Sequence, residues 1–170
     1  MSEACPGCKA SLAPVDGPTH RYIGASPACW QIYATLGAGG YATVGRDEYG
    51  SLLVDAYAAQ HPGVDSPQAR QSVAVHLVTL WAVLRAGADI EKAIDIRVRA
   101  VSVGKRTGGF EWLEPAPESY PLTVPGLTST EPIDATSIDL LVVGTLGSWS
   151  GEHETAIKGW YDRYRQELRG

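Results

Sequence analysis

Apolar residues recur at helical spacing along most of this chain, and helix punctuation brackets the runs. Ser26 followed by Pro27 is a helix start, serine capping and proline taking the first turn. That helix is expected to carry Trp30, Ile32, Tyr33 and Leu36 and to stop at Gly37. A second helix is predicted over about Asp47 to Gln60, with Leu52, Leu53, Ala56 and Tyr57 on one face and His61-Pro62-Gly63 ending it. Asp65-Ser66-Pro67 opens a third, which runs to about Ala86 and ends at Gly87. Its second half is apolar nearly all round, the pattern of a helix buried on most sides. A fourth is predicted from Asp89 to Val101, with Ile90, Ala93, Ile94 and Val98 inward.

Two stretches break the period. Residues 1–25 hold six prolines and glycines and read as loop. Residues 107–132 hold five prolines and read as an extended wrap anchored by Phe110, Trp112 and Leu113. Ile138 to Val143 is an apolar run short enough for strand or helix. The last helix is expected from about Ser150 to Leu168, with Ile157, Trp160, Tyr161, Tyr164 and Leu168 as its stripe. The expected fold is therefore mainly α, an irregular bundle of four to five helices in one domain over 1–170. Within it, 1–25 would form a metal-binding knuckle and loop, 26–104 the helical core, 105–136 the wrap, and 137–170 a C-terminal element and helix.

At 170 residues the chain can build a core without help, unlike an isolated zinc finger. A net charge of −5 and scattered basic residues argue against nucleic-acid binding. The most apolar run, Ser72 to Ala86, contains His76 and is too short for a membrane span. The N-terminus MSEACPGCKA lacks the signal-peptide pattern, so a cytoplasmic location is expected. Three cysteines are an odd count, and in a reducing compartment such cysteines serve metals or redox chemistry more often than disulfides.

The chemistry-bearing pattern begins at Cys5-Pro6-Gly7-Cys8. A CxxC turn presents two sulfurs to one tetrahedral ion, Zn2+ above all. One CxxC is half a site. His20 and Cys29 complete it locally as a Cys3His set, with Cys29 in the first turn of the Ser26 helix, where the dipole favours a thiolate. His76 or His61 is the alternative, clamping the ion between knuckle and helices. A thioredoxin-like redox pair is a further reading of the same cysteines. Asp55, Tyr57, His61 and His76 form a second constellation. An imidazole in the most apolar helix must be hydrogen-bonded or ligated, since leaving it unpaired costs about 1–3 kcal/mol. Ser72, one turn earlier, and Gln60 and Asp55 from the neighbouring helix are candidate partners of His76. The Asp55–His76 pair reads as a satisfied core histidine or, with His61, as catalytic residues of an active site.

The strings CPGC, DGPTHRYIGASPACW, DAYAAQHPG and QSVAVHL resemble a bacterial family of unknown function, the domain of unknown function numbered 5946. The resemblance covers mainly residues 5–86 and implies a shared helical fold and shared polar sites rather than a reaction. Its motif positions fall here on Cys5, Cys8, His20, Cys29, Asp55, Gln60, His61, Ser72 and His76. Three departures stand out. Lys9 follows Cys8 where the family commonly has glycine, Tyr49 stands where a histidine is common, and the last helix, GWYDRYRQEL, lacks an expected histidine. The functional expectation is a zinc-binding accessory protein, with a metal-dependent enzyme near Asp55, His61 and His76 and a thiol redox protein as alternatives. Its partner would be a small molecule or a protein. The aromatic stripe of the last helix suits a core face or a homodimer face equally.

Overall fold

The computed structural model describes residues 1–37, 47–106, 109–130 and 133–166. The chain is mainly helical. Most of the glycine-rich stretch at 37–45 and Leu168 of the last stripe lie outside the described residues.

The first helix, α1, spans Pro27–Thr35. Its cap is the one expected, with the Ser26 hydroxyl accepting from the Cys29 N–H. Helix α2 spans Asp47–Gln60 and α3 spans Pro67–Leu84, capped by Ser66, whose hydroxyl accepts from the Ala69 N–H. Gly87 then takes a left-handed backbone just beyond α3. Helix α4 runs Ile90–Arg106, longer than the expected Asp89–Val101. Its buried face is Ala93, Ile96, Ala100 and Val103; of the expected set Ala93 is buried, Ile90 and Ile94 are half-buried, and Val98 is 59% exposed. The buried positions follow the i, i+3, i+7 spacing that starts at Ala93, and Val98 falls off it.

The two irregular stretches carry more structure than the pattern showed. Residues 1–25 contain a two-stranded antiparallel hairpin, β1 (Glu3–Ala4) with β2 (Ser11–Leu12), pairing Glu3 with Leu12 and Ala4 with Ser11. The wrap contains a single-turn helix, α5 (Val124–Leu127), capped by Thr123. Phe110 and Leu113 anchor it in the core, and Trp112 is only half-buried.

The largest correction is at the C-terminus. The last helix, α6, spans Ala135–Gln166 and absorbs the 138–143 run. It begins at a reciprocal capping box. The Asp134 carboxylate accepts from the Ser137 N–H, and the Ser137 hydroxyl is within bonding distance of the Asp134 N–H. These bonds hold the Asp134 carboxyl below its usual range, the backbone bond to Ser137 first. Glycines 144, 147 and 151 disguise this helix in the sequence. Gly144 has a packing reason, since a Cβ there would press on the Pro121 ring at 3.3 Å.

Helix α3 packs on α2, α4 and α6, and α2 packs on α3, α6 and α5. Every residue from Asp55 to His61 is buried, so the C-terminal half of α2 is enclosed on all sides. Its polar residues must therefore find partners inside the protein. Gln60 donates to Leu122 O and Thr145 Oγ1, both at 2.9 Å, tying α2 to the wrap and to α6. The C-terminal carbonyls of α2, which no helical N–H can reach, are also met. Ala58 O accepts from the His61 N–H, and Ala59 O accepts from the Trp149 indole N–H at 2.9 Å and from the Tyr120 hydroxyl.

Candidate metal centre and a polar trio on α2

The β1–β2 hairpin presents Cys5 and Cys8 on its turn. The Cys5 N–H donates to Ala10 O and the Lys9 N–H to Cys5 O, which closes the knuckle tightly. Lys9 has a φ of 65°, the left-handed region where a side chain is strained and glycine is at ease. Cys29 arrives from the first turn of α1, and His61 from the residue after α2.

These four residues meet. One ligand atom from each of Cys5, Cys8, Cys29 and His61 lies within 4.8 Å of all the others. Cys8 Sγ and Cys29 Sγ are 3.9 Å apart, and Cys29 Sγ is 3.2 Å from His61 Nε2. With zinc–sulfur bonds of about 2.3 Å, a tetrahedral site has a sulfur–sulfur edge of about 3.8 Å, so the first spacing suits one shared ion. The imidazole is oriented for ligation. Its Nδ1 is 2.6 Å from Tyr57 O, and a backbone carbonyl there can only accept, so Nδ1 carries the proton and Nε2 faces the sulfurs. The Ser26 N–H donates to Cys5 Sγ at 3.4 Å and the Tyr57 hydroxyl donates to Cys29 Sγ at 3.7 Å.

The electrostatics call for a cation. Hydrogen bonds from Cys29 and then Cys8 hold the Cys5 thiol far below its ordinary value, and the same contacts with Cys5 and Cys8 drive Cys29 far above its own. Burial alone would depress the His61 pKa, but the facing Cys5 and Cys8 sulfurs raise it to about 9. Burial and the neighbouring Cys29 push the Tyr57 phenol up as well. Without a metal, the three sulfurs cannot all ionise side by side in a dry pocket. A dication removes that conflict. The residues present therefore fit a divalent ion with soft and imidazole ligands.

Close packing fixes the assembly. A Cβ on Gly7 would lie 2.5 Å from His61 Cδ2, so only glycine lets the knuckle seat on the histidine. Beside it, Gly63, with φ +69°, leaves no room for a Cβ against Tyr22 O, and the Gly24 N–H donates to His61 O. Tyr57 stacks on Tyr33 with ring centres 3.9 Å apart and on the His61 ring at 4.1 Å, forming an aromatic wall over the sulfurs.

His20 and His76, the other ligand candidates, are not in this group. His20 packs on Tyr22 and Trp30, with centroids at 4.4 and 5.2 Å, and its Nδ1 accepts from the Tyr22 N–H. His76 belongs to a second cluster. Its Nδ1 is 2.7 Å from Asp55 Oδ1, and the Arg97 guanidinium reaches the same oxygen at 2.8 Å. Asp55 is fully buried, and its Oδ2 has no partner among the described residues. The structure thus pairs Asp55 with His76 but holds His61 apart from them, among the cysteines. Arg97 escaped the sequence reading. Its spacing from Ala93 (i+4) and to Ala100 (i+3) places it on the inward stripe of α4, and that was the available signal.

The family model described as "Family of unknown function (DUF5946)" matches residues 3–166. The chain belongs to that family. Comparison of this DUF5946 chain with curated proteins and with solved structures gives no match. The match runs well past the residues 5–86 on which the resemblance mainly rested, and takes in α4, the wrap and nearly all of α6. Tyr49, one departure from the family pattern, has no described side chain.

Proposed function

We propose that this DUF5946 chain is a zinc-stabilised binding protein, with one Zn2+ held by Cys5, Cys8, Cys29 and His61 as a structural tie. The observation that carries this reading is closure. Cys5 and Cys29 are 0% exposed, His61 1% and Cys8 2%, and none of them lines the three cavities found among the described residues. A catalytic zinc keeps a coordination position open to substrate. Four protein donors sealed from solvent leave none. Three soft thiolates with one imidazole favour zinc over calcium or magnesium. Reduced, unpaired cysteines fit a cytoplasmic setting.

The test is metal analysis by inductively coupled plasma mass spectrometry on untagged protein, with Cys8→Ser alongside. About one zinc per chain is expected. The variant should lose it. Metal-free wild type that also fails to take up zinc after reduction would overturn the reading. A reversible Cys8–Cys29 disulfide in such protein would favour redox chemistry instead.

A further inference from the structure

Helices α3 and α4 line a groove of about 670 Å³. Its floor is the trio already noted. His76 and Arg97 both line it, and both are held from behind by Asp55, which is itself sealed from solvent. Asp55 takes His76 Nδ1 and one Arg97 N–H. The His76 Nε2 edge and the other guanidinium N–H groups keep no protein acceptor among the described residues. Lys105 stands at the rim, and the Ser72 and Ser102 hydroxyls add further polar groups.

Among the described residues no aspartate or glutamate lines the groove, although the chain has 19 acidic residues against 14 basic ones. Gln68 and Gln71 add side-chain amides on the α3 side, and the remaining wall is largely apolar. Val75, Val101 and two of the exposed large hydrophobics, Val98 and Tyr22, face this space. Donors gathered at the floor and rim, a wall free of carboxylates and an apolar side together select an anion with an apolar body. Inorganic phosphate would leave the apolar side and most of the volume unused.

We propose that this groove binds a small organic acid. Its carboxylate is received by Arg97 with Lys105 in support, beside the edge of the His76 ring, and its apolar or aromatic body lies on Val98, Val101 and Tyr22. Asp55 is a positioning residue. It fixes the imidazole edge and the guanidinium plane before the ligand arrives, so less freedom is lost on binding. The inference adds a ligand class to the binding role proposed above. It does not depend on the metal, since zinc content and groove occupancy are measured separately.

The experiment is a titration of uniformly 15N-labelled, zinc-containing protein followed by two-dimensional NMR. The probes are 4-phenylbutyrate, its neutral amide and inorganic phosphate. Phenylbutyrate should saturate with a Kd of about 1 mM or tighter, moving amides in the 68–76 and 97–105 segments. The amide and phosphate should each bind at least about tenfold more weakly. Lys105→Glu, a rim change outside the core, should weaken phenylbutyrate about fivefold or more with an unchanged Tm. Arg97→Lys keeps a cation on Asp55 and should weaken it further by removing the planar fork. Absence of saturable shifts up to about 20 mM phenylbutyrate would overturn the proposal. So would equal binding of acid and amide, or Lys105→Glu binding like the wild type.

Discussion

Two polar clusters grow from α2, and they differ in how each one's charge is settled. Around His61, three sulfurs and one imidazole nitrogen gather within 4.8 Å of one another, a set that a bound cation would balance. Around Asp55, the balance is internal. One carboxylate faces an arginine and a histidine, and the pair's other side opens on a groove. The first cluster is closed and incomplete without an ion. The second is complete without one and still has donors to offer. On the proposed reading the difference separates a site that holds the fold from a site that can hold something else, although both draw on the same short stretch, DAYAAQH.

The sharpest way to break this contrast is to remove the ion. Cys29→Ser, or chelation of the wild type, should abolish zinc content. A site saturated about a thousandfold over its dissociation constant contributes about 4 kcal/mol. Its loss should lower Tm by roughly 8–16 °C for a chain of this size, measured by circular dichroism. A stripped protein that melts at the wild-type temperature would make the two clusters alike. Next in size is Asp55→Asn, which leaves Arg97 and His76 facing a neutral group. Breaking a buried pair costs about 3–5 kcal/mol, and partial exposure of both partners brings the expectation to about 2–3 kcal/mol in urea unfolding. Zinc content should stay at the wild-type level. Zinc lost together with Asp55 would show the clusters to be one cooperative unit.

Smaller changes sharpen the picture. Lys9→Gly should stabilise the zinc-loaded protein by about 1 kcal/mol, because glycine relieves the left-handed backbone at the knuckle. A destabilised variant would mean that the contact of the Lys9 ammonium with Pro6 O outweighs that strain. His20→Ala should shift stability by less than about 0.5 kcal/mol and leave the metal in place. Zinc lost with His20 would restore the sequence-local ligand set.

Helix starts with a serine cap and a proline were legible, as α1 and α3 show, because those signals are local. The start of α6 was equally local, in Asp134 and Ser137, but the glycines downstream masked the helix that followed. The face of α4 was misread because Val98 is apolar yet lies against a groove rather than in the core. At the metal centre the three cysteines could be named, since each is a natural sulfur ligand. The histidine could not be chosen from spacing. His20 is nearer in sequence, but His61 is brought in by the packing of α2 and by the glycines that let the knuckle reach it. Arg97 shows the same limit. Its role depends on a carboxylate 42 residues away.

The fourth ligand's distance along the chain has a consequence during synthesis. Cys5, Cys8 and Cys29 leave the ribosome first, and His61 follows Cys29 by 32 residues. At about 5–20 residues per second that interval lasts roughly two to six seconds. Throughout it the nascent chain carries three thiols able to pick up an ion that its neighbours can still exchange. With the proposed zinc in place, arrival of α2 would deliver the imidazole and Tyr57 together and convert an exchangeable metal into a captive one.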